Sequence, residues 1–127
     1  MAVWTNEELN KVGAAEELQI ASLRGDGTLR NPVTIWVVRL DDDLYVRSVN
    51  GHASSWFRGV QERHEGRIEA GGVEKDVTLV EIDAGDDSND KLDAAYRNKY
   101  RRYAASIVNS TLTSQARDAT LKLIPRS

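Results

Sequence analysis

The sequence contains no cysteine. That absence excludes a disulfide framework, a thiolate metal site and a cysteine nucleophile, and it fits a reducing compartment, so a cytoplasmic location is expected. No stretch approaches the roughly 20 consecutive apolar residues that span a bilayer, and no basic start leads into an apolar run. Neither a membrane partner nor a secretory leader is expected. A surplus of basic charge is missing too: 17 Lys and Arg face 20 Asp and Glu, for a formal net charge of −3. With a pI near 5.4 the field of the whole molecule repels phosphate backbones, which makes nucleic acid a poor partner. The chain lacks the Gly-x-Ser-x-Gly elbow of serine hydrolases, the Gly-x-Gly-x-x-Gly dinucleotide turn and the Gly-Lys-Ser/Thr phosphate loop. It also lacks internal repeats and low-complexity linkers. What remains is 127 residues, 40% of them hydrophobic, with a mean hydropathy of −0.51. That is enough chain for a single soluble domain, residues 1–127, able to bury about two thirds of its unfolded surface without a staple.

Thr5 followed by Glu8 forms a capping box, and Trp4 before it can pack on Leu9, so a short helix is expected from Asn6 to about Val12, stopping near Gly13. Glu17 to Arg24 alternates as a strand does, and Gly25-Asp26-Gly27 forces a turn. The run Pro32 to Leu40 has apolar side chains on both faces and predicts one strand covered on both sides. Asp41, Asp42 and Asp43 turn the chain into a second strand from Leu44 to Val49, giving a central hairpin. A glycine-bearing loop follows, with Ser54 or Ser55 capping a brief helix over Trp56 to Gln61. Residues 66–72 and 76–83 read as two further strands. From Asp90, the series Leu92, Tyr96, Tyr100, Tyr103 and Ile107 predicts one long helix with a single apolar stripe, and Asp93 can pair with Arg97 along it. Ala119 to Ile124 is a last strand. Short strands in series, one long late helix and a returning strand describe a small barrel with helices outside.

Several segments together resemble a prokaryotic family known only as a domain of unknown function: Thr34–Arg39, Asp43–Ser48, Gly51, Trp56–Arg58, Ala95–Tyr100 and Ala119–Pro125. That family is similar in turn to the flavin-binding split barrels, which include pyridoxamine-phosphate-oxidase-like and deazaflavin-dependent nitroreductase-like proteins. This second likeness rests on strand order, the tryptophan after the third strand, and the spacing from Tyr100 through Arg117 to the last strand. The resemblance implies a mainly β fold with α: a six-stranded split β-barrel with short flanking helices and one long helix in the C-terminal half. It also implies a cleft that takes FMN or a deazaflavin for hydride or electron transfer. Carried over by position, Arg47 and Ser48 at a strand end and Ser54, Ser55, Trp56 and Arg58 in the next loop would hold the cofactor. Thr34 and Trp36 would line its ring pocket, and Arg117 is a further candidate from the deazaflavin relatives. Split barrels often dimerise, and strands apolar on both faces permit a homodimer.

The residues themselves supply the chemistry that such a site needs. Arginine presents a planar fork to phosphate, hydroxyls add short hydrogen bonds, and glycine lets backbone amides approach an anion. The bland alternative makes Arg47 a solvated strand residue, Arg58 a surface residue and the serines mere caps. Trp36 is equally an ordinary core anchor, whereas Trp56 lies in a polar loop where a purely structural tryptophan is less expected. His52 and His64 have no ligand partner at useful spacing, and the three aspartates lack the closing glutamate of a calcium loop, so no metal is expected. Residues 97–102 are basic, but their tyrosines belong to the apolar stripe, which makes them a solvated helix face. The leading reading is a flavin- or deazaflavin-binding protein. The alternative is a non-catalytic ligand-binding or structural barrel without cofactor.

Overall fold

The apolar run from Pro32 to Leu40 is two strands, not one. In the computed structural model, which describes residues 3–126, Trp36 and Val37 separate β2 (Val33–Ile35) from β3 (Val38–Leu40). The others are β1 (Leu18–Ser22), β4 (Asp43–Arg47), β5 (Glu65–Ala70), β6 (Val73–Ile82) and β7 (Thr120–Pro125), so the sheet has seven strands where six were expected. Their order is β2-β1-β5-β6-β7-β4-β3, and every pairing is antiparallel. The two edge strands are therefore neighbours in the chain. A two-residue link reaches at most roughly 11 Å, so the sheet has to curl until its edges nearly meet. That geometry makes it a split half-barrel.

Five α-helices lie around it: α1 (Asn6–Ala14), α2 (Ser55–Arg63), α3 (Ser88–Lys99), α4 (Ala105–Asn109) and α5 (Ser114–Arg117). The capping box at Thr5 and Glu8 forms, and α1 runs through Gly13 to Ala14. Leu9 and Trp4 both enter the main core, and the Trp4 indole donates to the Leu123 carbonyl at 2.9 Å, tying the entering chain to β7.

Parity along β4 explains the two-layer packing. Leu44 and Val46 point into the barrel with Leu18, Ile20, Ile68, Val77, Leu79, Leu121 and Leu123, whereas Tyr45 points outward to a second cluster with Leu92, Tyr96 and Tyr100 of the α3 region. Arg47 shares the outward parity, and α3 covers it. The expected three-aspartate turn uses only Asp41 and Asp42, since Leu40 pairs with Asp43 and Asp43 meets Lys122 at 3.3 Å.

The long helix is shorter than its stripe predicts. It ends at Lys99, and the chain turns through Tyr103 before α4 begins. Tyr100 explains the break: its ring stacks on Trp36 with centroids 3.8 Å apart and planes 3° from parallel. Its hydroxyl accepts from the Val37 amide at 3.1 Å and donates to the Glu16 carbonyl at 2.8 Å. Beside it the Lys99 ammonium donates to the Val37 carbonyl at 2.6 Å. The link that joins the two sheet edges thus holds the helix end, and Ile107 falls off the stripe to stand 48% exposed.

Candidate functional site

A cavity of about 450 Å³ opens where the link meets the ends of β4 and α3. Val33, Thr34, Ile35 and Trp36 form one wall, and Arg47 to Asn50 form the strand-end side. Ser54, Ser55 and Trp56 come from the start of α2, while Tyr96, Ile107, Ser110 and Thr111 close the helical side. The fold thus brings Thr34, Trp36, Arg47, Ser48, Ser54, Ser55 and Trp56 around one space.

Arg58 is not among them. It lies two positions beyond Trp56 on α2, which turns it to the opposite side of the helix, where it is exposed and donates to the Ala53 carbonyl at 3.2 Å. Arg117 is also elsewhere, bound to Asp90 at 2.8 Å and to Asp93.

Arg47 borders the cavity, but its guanidinium faces inward and its side chain is wholly buried. Nε donates to Thr120 Oγ1 at 3.0 Å, and one amino group donates to Asp93 at 2.6 Å and to the Thr111 carbonyl at 2.9 Å. The other amino group reaches the carbonyl and the side-chain oxygen of Asn89 at 3.3 and 3.1 Å. Every N–H of this arginine is therefore spoken for, and none is left for a phosphate. The expected strand-end anion ligand is instead a structural cation. Asp93 completes the unit by accepting from both Arg47 and Arg117 rather than pairing with Arg97. Burial alone would raise its carboxyl, but the hydrogen bonds from Arg117 and Arg47 outweigh that and hold it below the ordinary aspartate range.

Of the expected residues, Ser48 is buried and donates to the Gly51 carbonyl at 2.8 Å. Thr34 accepts from Gln19 at 2.6 Å. Ser54 stands at the N-cap of α2 without a side-chain capping bond. Trp36 has one face against Tyr100, and Trp56 is half-buried with its ring edge-on to Phe57, centroids 6.0 Å apart.

The sequence reading missed Tyr96. It is 1% exposed and lines the cavity, and its buried hydroxyl donates to no partner, although the Arg47 backbone amide lies close enough to act on it. The Arg47 guanidinium carbon sits 5.4 Å from the centre of its ring. Burial pushes the phenol well above its ordinary value, so it keeps its proton and remains a donor. A tyrosine in a core stripe needs a partner for its hydroxyl, and that was the available signal. Ser110 and Thr111, whose hydroxyls donate to carbonyls one turn back, carried no comparable one.

The histidines lie apart from the cavity, and each faces a carboxylate. His52 is 3.2 Å from Asp118, and His64 is 2.6 Å from Glu81, whose carboxyl the His64 hydrogen bond holds low. Among the described residues no group of three or more His, Cys, Asp or Glu side chains could hold a metal ion. Likewise none of their helices is long and apolar enough to cross a membrane.

Solved structures with the same curled sheet include HutZ, a heme storage protein from Vibrio cholerae, at 14% identity over 96% of this chain and 90% of that one, with a TM-score of 0.64. A FAD-binding protein from Mesorhizobium loti matches at 15% identity over 99% and 93%, with a TM-score of 0.59. An F420 reductase matches at 11% identity over 94% and 93%, with a TM-score of 0.62. At such identities the likeness shows the split-barrel fold. Comparison with curated proteins by sequence gives no match. The sequence pattern of one bacterial family covers residues 8–123, and the chain belongs to that family, described as uncharacterized protein conserved in bacteria (DUF2255).

Proposed function

We propose that the cavity binds a flavin or deazaflavin ring and that the protein uses it for hydride or electron transfer. The observation that carries this reading is Tyr96 at the wall of a cavity that also has Trp36 and Trp56, its buried hydroxyl donating to no partner. An orphaned buried hydroxyl is costly unless a ligand pairs with it, and flat rings with acceptor atoms along an edge fit between aromatic walls. The cavity lining includes no carboxylate, lysine or histidine, and its one arginine is neutralised by Asp93. No lining hydroxyl therefore has a carboxylate, lysine or histidine base beside it in the lining, and no histidine is there to ligate a haem iron. A bound flavin would supply the redox chemistry itself. This chain's residues would hold the ring against Trp36 and Trp56, donate to it from Tyr96 and offer it the hydroxyls of Ser54 and Ser55. The names of the FAD-binding protein and the F420 reductase with this fold support the same class.

One observation favours the second reading, a ligand-binding or structural barrel without cofactor: Arg47 has no donor free for a phosphate. Titration of the purified protein with riboflavin, FMN and a deazaflavin, followed by flavin fluorescence, separates the two. Saturable binding is expected, weakened about five- to ten-fold by Tyr96→Phe, the worth of one hydrogen bond. If no flavin or deazaflavin binds, the cofactor reading falls and the second stands.

A further inference from the structure

If Arg47 cannot hold an anion, a phosphorylated ligand needs another grip. A second cleft, of about 360 Å³, adjoins the cavity and shares Val33, Ser55 and Trp56 with it. Its remaining walls include Ser22, Arg24, Arg30 and Asn31, and no acidic residue lines it. Arg30 Nε is buried and has no hydrogen-bond partner; with Tyr96 Oη it makes up the buried unpaired side-chain polar atoms among the described residues. The Arg30 amino group is held from behind by Glu62, and the arginine lies on Gly59, where a Cβ would come within 2.9 Å of Nε. Arg24 directs one amino group at Thr28 and at the Leu29 carbonyl, at 3.2 and 2.9 Å, leaving its other amino group without a partner among the described residues. Ser55, in the shared wall, opens α2, so hydroxyl and first-turn amides add to the positive side of the cleft.

We infer that this cleft holds the anionic end of the ligand, a phosphate monoester, through Arg24 and Arg30, while the ring occupies the cavity. The inference rests on the flavin reading of that cavity. The ligand's chain crosses the shared rim at Ser55 and Trp56, which places Trp56 between ring and tail. Arg30 is the main ligand because its side chain is 34% exposed and its amino group Nη1 has no partner among the described residues, Nη2 being the one that Glu62 holds. Glu62 orients the guanidinium without occupying Nε.

Riboflavin and FMN differ only in the phosphate, so their affinities divide the ring site from the tail site. Wild-type protein is expected to bind FMN about ten-fold or more tightly than riboflavin, as a charge-assisted hydrogen bond requires. Arg30→Met keeps an aliphatic chain on Gly59 and should abolish most of that preference, with riboflavin affinity staying within about two-fold. Arg24→Gln, at an exposed position that leaves folding unaffected, should reduce the preference by about three-fold. Riboflavin binding with FMN no tighter overturns the tail site and leaves the ring site standing, as does an unchanged preference in Arg24→Gln and in folded Arg30→Met. If Arg30→Met does not fold, the Arg24→Gln ratio decides alone. If neither flavin nor the deazaflavin binds, the ring reading fails and the tail site fails with it.

Discussion

Arg47 and Asp93 are charges taken out of water together, and their partners fix what either can do. The side chains are 0% and 6% exposed, and Arg117 bonds to the other Asp93 oxygen. Removing one partner of a buried pair leaves an undercompensated charge, so Arg47→Met is expected to destabilise the fold by about 3 kcal/mol or more. A drop in the urea midpoint with an unchanged slope would check this, and loss of ligand binding by this variant would then follow from unfolding, not from a missing phosphate contact. The sequence made Arg47 look like an anion ligand because Arg-Ser followed by Gly and two further serines does contain the right donors. Its true partner lies 46 residues away on another element, and no local pattern announces a contact at that separation. The same distance hid Tyr96, whose spacing reported only that it is buried. That Ser54, Ser55 and Trp56 gather at the start of one helix was legible, because a loop and the helix that follows it are local features.

At the scale of elements, the capping box, the α2 helix and the final strand follow from short-range chemistry, whereas the break at Trp36-Val37 does not. Nine residues with apolar faces on both sides look like one strand until the two halves are seen to pair with opposite sheet edges, a matter of topology. The end of α3 was hidden for the same reason, since Tyr100 is pulled off the helix by Trp36 and Val37. The β5–β6 hairpin is local by contrast: Ala70 pairs with Val73 around Gly71 and Gly72, which have φ of +59° and +85°. A Cβ on Gly71 would lie 2.4 Å from the Lys11 carbonyl oxygen, whereas one on Gly72 would meet nothing within 4 Å. Gly71→Ala therefore combines left-handed strain with a backbone clash and should cost about 2–4 kcal/mol, pushing the hairpin away from the end of α1. Gly72→Asn, which tolerates that backbone region, should cost less than about 1 kcal/mol. Equal losses in urea denaturation would mean that α1 yields to the hairpin at no cost.

Across the whole molecule the titrating groups set a stability profile whose maximum is not at neutrality. Glu8, Asp26, Glu65, Glu81 and Asp86 are held below their ordinary values chiefly by hydrogen bonds, from Thr5, Thr28, Arg63, His64 and Ser88 respectively. Asp93 is held low by its arginines in spite of burial. Their contribution is complete above the unfolded values near about 4 and is lost as pH falls through the lower folded values, so acid should destabilise below about pH 4. Lys99 works in the opposite range. Desolvation lowers it to about 8, so between that pH and its unfolded value near about 10.4 the unfolded chain carries a proton that the folded one has released, and stability rises with pH. Tyr45, Tyr96 and Tyr100 are all raised by burial, so above about pH 10 the unfolded chain loses phenol protons that the folded chain keeps, and stability falls again. The urea midpoint measured from about pH 3 to 11 should therefore peak near about pH 9 to 10. Lys99→Met should flatten the rise above pH 8 and leave the acid limb untouched. A wild-type profile already flat there would mean that the 2.6 Å bond from Lys99 to the Val37 carbonyl keeps the ammonium charged, and that the link between the sheet edges is pinned by a cation at every pH the fold survives.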